Sequence, residues 1–301
     1  MSLVATLISN PQTPSLDEAT LARMRALLPS PAEPVWLDAG VAADILFQPN
    51  GDDDHRRIAA HIRDALGGAP LDVVVQPIAG RRKRLFLADM DSTMIGQECI
   101  DELADKVGLR PMVAAITERA MRGEIAFDPA LRERVALLKG LPVSVIDDLI
   151  AERITLTPGG RVLVATMRKH GAYTCLVSGG FTLFTNRVAA MIGFDENRAN
   201  RLGVAADRTL SGLVEEPIFG REDKLNALRE IAGQHGITPQ EAIAAGDGAN
   251  DISMLEAAGM GVAFHAKPAV KAIAAAQIDH GDLTALLYVQ GYRRDEFATV
   301  P

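Results

Sequence analysis

The order of apolar and polar positions divides the chain into two stretches of different rhythm. In the first, Leu3 to Ile8, Leu16 to Leu28, Val35 to Phe47, Arg56 to Leu66 and Leu71 to Ile78 alternate strand-like and helix-like patterns, with Pro- and Gly-rich turns between them. This predicts a small α/β domain over residues 1–80, ending where Ala79 to Arg84 replaces an apolar strand with glycine and a basic cluster. From Arg84 onward strand and helix alternate strictly, with strands at Leu85 to Ala88, Tyr173 to Val177, Ala242 to Ala245 and Gly261 to Phe264. That alternation predicts a doubly wound parallel α/β sheet over residues 84–94 and 157–290, followed by a C-terminal tail, 291–301.

The stretch from Thr93 to Ser178 is far longer than the ~30 residues a βαβ crossover needs, so a segment is inserted there. Helical patterns at Glu98 to Val107, Met112 to Arg122, Pro129 to Lys139 and Val143 to Ala151 predict a four-helix cap within residues 95–156. A cap at the mouth of a site excludes water and admits only substrates small enough to be enclosed.

Composition narrows the classes of function. A chain of 301 residues, 48% of them hydrophobic, can bury a large core, and its length suggests about two domains. A formal net charge of −8, with no basic run longer than Arg81 to Arg84, argues against a nucleic-acid surface. Cys99 and Cys175 form no C-x-x-C and predict buried thiols rather than a disulfide or zinc site. No basic leader or long apolar run is present, so a cytoplasmic, membrane-free protein is expected.

The candidate chemistry gathers at the carboxyl ends of the predicted strands, where doubly wound sheets bind ligands. Asp89-Met90-Asp91-Ser92-Thr93 follows the first strand. Were the strand to continue, Asp89 and Asp91 would project the same way about 6 to 7 Å apart, at a ~3.3 Å rise per residue, and could divide nucleophilic and acid–base work on a phosphate. The same five residues also suit a turn or a helix N-cap. Ser178-Gly179-Gly180 follows the second strand, where a hydroxyl and backbone N–H groups could face a phosphate, or where the serine could simply cap a helix. Gly246 to Asp251 follows the third; its glycines permit a tight turn, and Asp247 and Asp251 supply hard oxygen ligands of the kind Mg²⁺ prefers. Mg²⁺ keeps waters and uses few protein carboxylates, so Asp89 and Asp247 are expected at the metal and Asp251 behind them. Lys224 opens a helix, Glu222 to Gln234, where the dipole disfavours a cation; it is either a surface lysine or a charge partner for phosphoryl oxygens. Asp52-Asp53-Asp54, after Pro49-Asn50-Gly51, reads as a solvated loop leading to a helix.

In this order the segments resemble the haloacid dehalogenase superfamily, whose pattern is D-x-D-x-T, a Ser or Thr after the second strand, a Lys, and an acidic G-D-x-x-x-D loop. The resemblance spans about residues 84–290, and Asp89 to Thr93, Ser178 to Phe181 and Gly246 to Asp251 are most similar to the phosphoserine phosphatase family within it. It implies hydrolysis of O-phospho-L-serine through an aspartyl-phosphate. Asp89 would be the nucleophile, Asp91 the general acid and base, and Ser178 and Lys224 would hold the phosphoryl group. Mg²⁺ would be bound by Asp89, the Asp91 backbone carbonyl and Asp247, with Asp251 in support. The same resemblance implies that Glu98 meets the substrate's ammonium, that Arg134, in Phe127-x-x-x-x-x-x-Arg134-Val135, meets its carboxylate, and that Met121, Phe127, Gly179 and Asn250 complete the pocket. Glu98 and Arg134 would otherwise be a first-turn acid and a solvated helix face. The first domain resembles amino-acid-binding ACT-like domains, which implies an amino-acid effector there and a homodimer. Two other readings stay open: a phosphotransferase or phosphatase for another small metabolite, and a non-enzymatic amino-acid sensor.

Overall fold

The computed structural model describes residues 2–50, 54–122 and 124–300. Strands β1 (Leu3–Ser9), β2 (Val35–Asp38), β3 (Ala42–Phe47) and β4 (Leu71–Pro77) form an antiparallel sheet in the order β2-β3-β1-β4, with helices α1 (Glu18–Arg25) and α2 (His55–Ala65). This βαββαβ order is the split βαβ arrangement. Val35 to Phe47 is therefore two strands rather than one, because Gly40, at φ +77°, turns the chain between them. Asp17 and Asp54 cap α1 and α2 by accepting from the backbone N–H of Thr20 and Arg56. Of the acidic triplet, Asp54 is thus a helix cap, while Asp52 and Asp53 lie outside the described residues.

Strand periodicity gives this sheet two different faces. Leu3, Ala5, Leu7, Ala43, Ile45, Val73 and Val75 pack with Leu21, Met24 and Ile62 of the helices. The alternate residues turn toward the rest of the chain, and Ile8, Ala42 and Val74 join the main core. That second face also buries Thr6, Asp44, Asp72 and Gln76.

The second sheet begins at β5 (Leu85–Asp89), and the cap follows as α3 (Cys99–Lys106), α4 (Arg110–Met121), α5 (Phe127–Ala136) and α6 (Ser144–Glu152). All four cap helices lie where the periodicity predicts them. The chain returns through α7 (Gly160–Lys169) to β6 (Tyr173–Phe181), α8 (Thr182–Ile192), β7 (Glu196–Asn200) and a hairpin, β8 (Leu202–Val204) with β9 (Leu210–Val214). It closes with α9 (Arg221–Gln234), β10 (Ala242–Gly246), α10 (Ile252–Ala257), β11 (Met260–Phe264), α11 (Pro268–Ile273), β12 (Ala276–Ile278) and α12 (Ala285–Val289). Six parallel strands run β12-β11-β10-β5-β6-β7, so the direction of winding reverses between β5 and β10. Residues after these two strands therefore face the crevice where such sheets bind ligands. The two strands beyond the four predicted ones are the sheet's edges: Glu196–Asn200 is polar and Ala276–Ile278 is only 3 residues long.

Two attachments hold the cap over that crevice. At its root Gly96 N donates to Thr155 O (3.1 Å) and Thr157 N to Met94 O (3.0 Å). At its far side the α5–α6 turn pairs with the hairpin, through Gly140 N to Leu210 O (2.8 Å) and Leu210 N to Leu141 O (2.8 Å). The segment 291–301 does not trail away, because Tyr292 and Phe297 are buried in the main core.

The basic run before β5 ties the two sheets together. Arg81 pairs with Asp44 at 2.6 Å, with only 11% and 7% of the two side chains exposed, and Thr6 Oγ1 donates to the same carboxylate. Arg82 pairs with Glu296, and Arg84 with Glu241. Gly291, at φ +77°, admits the Arg81 guanidinium where any Cβ would collide with it. Arg81→Met should strand the buried Asp44 charge and cost ~3 kcal/mol in urea unfolding, and adding Asp44→Leu should recover most of that loss.

Candidate active site

β5 delivers Asp89 to the crevice, but the strand stops there. Met90–Met94 is a single wide helical turn in which Ser92 takes φ +54°, so Asp91 stands on a turn and not on a strand continuation. Asp91 keeps extended backbone angles within that turn (φ −67°, ψ 137°), and both carboxylates still line one cavity. Cys99 N donates to Asp91 Oδ1 (2.8 Å) and Ser178 Oγ to Asp91 Oδ2 (3.1 Å), which fixes the carboxylate from two sides.

Ser178 is not a helix cap. β6 runs on to Phe181, past the predicted end at Val177, and Ser178 is wholly buried inside it, accepting from Gly180 N at 2.9 Å. Gly179 and Gly180 reach the cavity wall in its place. A Cβ on Gly180 would lie 3.0 Å from Ser178 Oγ and 3.2 Å from Asp91 Oδ2, so the close approach of backbone to carboxylate uses the glycine.

Lys224 is not a surface lysine either. It sits in the first turn of α9, 1% exposed, with Nζ 2.7 Å from both Asp89 Oδ1 and Asp251 Oδ1. Burial works against its charge, but Asp251 and Asp89 outweigh burial and raise its pKa. Asp251 is spoken for on both oxygens, because its Oδ2 accepts from Gly248 N at 3.0 Å. The Asp247 carboxylate has, among the described residues, only a long 3.4 Å hydrogen bond from Thr93 Oγ1. Desolvation first, and then Asp251, push the Asp89 and Asp247 carboxyls upward.

Asp89, Asp247 and Asp251 can each bring an oxygen within 4.8 Å of the others. Against one ammonium, that of Lys224, these three buried carboxylates leave the charge of one divalent cation uncompensated. The donor set is all hard oxygen, which suits such an ion. Asp89 and Asp247 have oxygen to spare for it, and Asp251, already engaged twice, orients the group from behind.

The cavity above has a volume of about 160 Å³ and is closed by cap residues Glu98, Ile100, Phe127, Leu131 and Arg134. Glu98 is exposed and accepts from Ser92 Oγ at 2.7 Å. Desolvation, followed by repulsion from Asp91, raises its pKa to about 7. Arg134 is half-buried, with Nε donating to Ala130 O (3.3 Å), whereas its neighbours Arg132 and Glu133 turn outward to Glu216 and Arg119. Phe127 reaches across to the backbone of Gly179 and Gly220.

The comparisons with known proteins agree with this geometry. The model of the family described as haloacid dehalogenase-like hydrolase matches residues 86–256. The chain belongs to this family. Phosphoserine phosphatase SerB2 of Mycobacterium tuberculosis is 44% identical over 228 residues, 75% of this chain, which spans 55% of that protein's length. A phosphoserine phosphatase of Polaromonas sp. is 46% identical over 208 residues, 68% of this chain and 88% of that one. Among solved structures, a haloacid dehalogenase family hydrolase of Salmonella enterica serovar Typhi superposes with a TM-score of 0.85 at 28% identity, covering 96% of this chain and 98% of that one.

Within this haloacid dehalogenase-like chain the cavity gathers Asp89, Asp91, Glu98, Phe127, Arg134, Gly179, Asp247 and Asn250. Ser178 and Lys224 do not line it and reach it through Asp91 and Asp89. Asp251 stands behind Lys224, and the side chain of Met121 lies outside what is described. Sequence reasoning missed Lys267, which lines the cavity from the loop after β11 and donates its backbone N–H to Asp247 O at 3.1 Å. The strand-end logic that found the other three loops would have found this one had it been applied to the fourth strand.

A raised Glu98 pKa has a sign that can be tested in the metal-free protein. Between pH 4.5, its ordinary value, and about 7, the folded state holds a proton that the unfolded state has released. Glu98 therefore contributes stability below that window and loses it as pH rises through it. Urea unfolding of the native protein minus that of Glu98→Gln should fall across this window and level off above it; a flat difference would show an ordinary carboxylate.

Proposed function

We propose that the chain is a Mg²⁺-dependent phosphoserine phosphatase that converts O-phospho-L-serine to L-serine and phosphate, the last step of serine biosynthesis, in the cytoplasm. The observation that carries this reading is the charge order of the enclosed cavity: a buried carboxylate and ammonium cluster at its floor, and one acid, Glu98, with one base, Arg134, on its lid. Phosphoserine carries a phosphate, an ammonium and a carboxylate, which call for that set. The named activity of relatives at 44% and 46% identity supports the same substrate. No helix among the described residues is long and apolar enough to cross a membrane.

In the proposed reaction an Asp89 carboxylate oxygen attacks phosphorus in line, and the P–O bond to serine breaks. Asp91, whose pKa burial raises, gives its proton to the departing serine oxygen. Asp91 then takes a proton from water, which attacks the aspartyl-phosphate and returns Asp89 with release of phosphate. Lys224 keeps Asp89 oriented and offsets charge on the phosphoryl oxygens, the Ser178 hydroxyl holds Asp91, and the Gly179 and Gly180 backbone lines the cavity on the β6 side. Asp89, Asp247 and the Asp91 carbonyl, with Asp251 in support, would hold Mg²⁺, which would supply positive charge at the phosphoryl oxygens. The cap keeps bulk water from the intermediate.

We also read residues 1–80 as an ACT-like domain, on its βαββαβ order, with 84–94 and 157–290 as the catalytic core, 95–156 as the cap and 291–301 as a terminal segment. An amino-acid effector on the first domain and a homodimer belong to the same reading.

Asp89→Asn should lower phosphate release from L-phosphoserine by at least about 10³-fold while the thermal transition stays cooperative; undiminished release would remove Asp89 as nucleophile. Arg134→Ala should cost ~10–100-fold in kcat/KM on L-phosphoserine and far less on an aryl phosphate that has no carboxylate, whereas equal losses on both would count against the carboxylate contact.

A further inference from the structure

The polar face of the first sheet does more than dock it. Asp72 is 3% exposed, and on the strand pattern of β4 it points to the catalytic core. Its carboxylate accepts three consecutive backbone N–H groups: Asp279 at 2.7 Å, His280 at 3.2 Å and Gly281 at 2.7 Å. Successive N–H groups converging on one carboxylate hold a loop tightly, and a charged acceptor strengthens each bond. A Cβ on Gly281 would be tight here, 3.1 Å from both Asp72 Oδ2 and Ala285 Cβ.

The Gly281 peptide is held at its other end as well. Its carbonyl faces His265 Nε2 at 2.9 Å, so Nε2 carries the proton and donates. His265 is fixed further by its own N–H to Ile278 O (2.8 Å) and by stacking on Phe264 at 4.2 Å. Its backbone takes φ +45°, a conformation unfavourable for a side chain of this size, which the surrounding contacts enforce. This kink directs the next residues to the site: two positions on, Lys267 N donates to Asp247 O. Asp247 is the carboxylate with the least holding its own side chain, so its backbone anchor matters most.

We propose that Asp72, the Gly281 peptide and His265 form a positioning relay through which the first sheet sets the placement of Asp247. The relay rests on the reading of Asp247 as a metal ligand for its consequence, but not for its geometry. Neither Asp72 nor His265 touches substrate; both act through the 265–267 loop. By this arrangement the N-terminal sheet is part of the catalytic apparatus, through Asp72 and the loop it holds rather than through its polar face as a whole.

The test uses the full chain, free of metal, with two readouts. His265→Asn tolerates the positive φ without the added backbone freedom of glycine and removes the imidazole that reaches Gly281 O; Asp72→Ala removes the other end. Both should speed amide hydrogen exchange at Lys267, and both should weaken Mg²⁺ binding, by calorimetry, roughly 10-fold. Arg81→Met with Asp44→Leu, which alters the same junction off the relay, should leave both readouts unchanged. Native exchange at Lys267 in both relay variants would overturn the relay, as would an equal effect in the junction control. If the unaltered chain binds no Mg²⁺, the cofactor reading fails, and exchange at Lys267 still decides the relay.

Discussion

The site depends on an ammonium held between two carboxylates. Lys224 could sit elsewhere on α9 only by leaving Asp89 and Asp251 buried with no counter-charge, and each such stranding costs several kcal/mol. The helix dipole opposes a cation in the first turn of α9, so the location is unfavourable except for these two partners. Their pull is what keeps the lysine charged in the interior. In return the lysine fixes one Asp89 oxygen, and it fixes Asp251, which closes the Gly248 turn and so shapes the loop that bears Asp247. Two strand ends and one helix start are thereby made a single electrostatic unit.

That unit explains why the chemistry was legible in the sequence. The D-x-D-x-T, Ser-Gly-Gly and G-D-x-x-x-D loops each follow an apolar strand, and a parallel sheet brings such ends to one edge whatever lies between them. The cap was legible for a similar reason: its four helices have amphipathic periods of their own, and the insert is too long for a crossover. What was lost is what local pattern does not encode. Glu196–Asn200 reads as polar loop because an edge strand faces solvent, and Ala276–Ile278 is too short to show a period. The turn at Met90–Met94 and the extra length of β6 are set by contacts between distant segments, among them Cys99 N and Ser178 Oγ on Asp91. The neighbours of Lys224 gave no sign of its burial, because both partners come from other elements.

Cap and core also divide the work of recognition. On the proposed reading the core's polar groups address a phosphoryl group and would serve any phosphomonoester, whereas the side chains that would distinguish one ester from another, Glu98 and Arg134, stand on inserted residues. Pinning the α5–α6 turn to the β8–β9 hairpin would then serve specificity, because Arg134 and Phe127 lie on α5 and inherit the hairpin's position. Specificity of this kind is cheap to alter without touching the chemistry, since the cap's charges are set on a separate run of sequence.

The first sheet presents a harder physical problem, and its solution bears on the site. A buried sheet face made only of Val, Ile and Leu could slide over the core at little cost, because apolar contact has no direction. Thr6, Asp44, Asp72 and Gln76 interrupt that face with groups that must find partners once buried. They find Arg81, the backbone of 279–281 and the Val289 carbonyl, each at hydrogen-bond distance and each in one register only. The polar residues therefore give up some hydrophobic stabilisation in exchange for a single docking geometry. One of those partners, the 279–281 loop, is a hydrogen bond away from His265, and a fixed register is what allows a sheet on the far side of β12 to bear on Asp247.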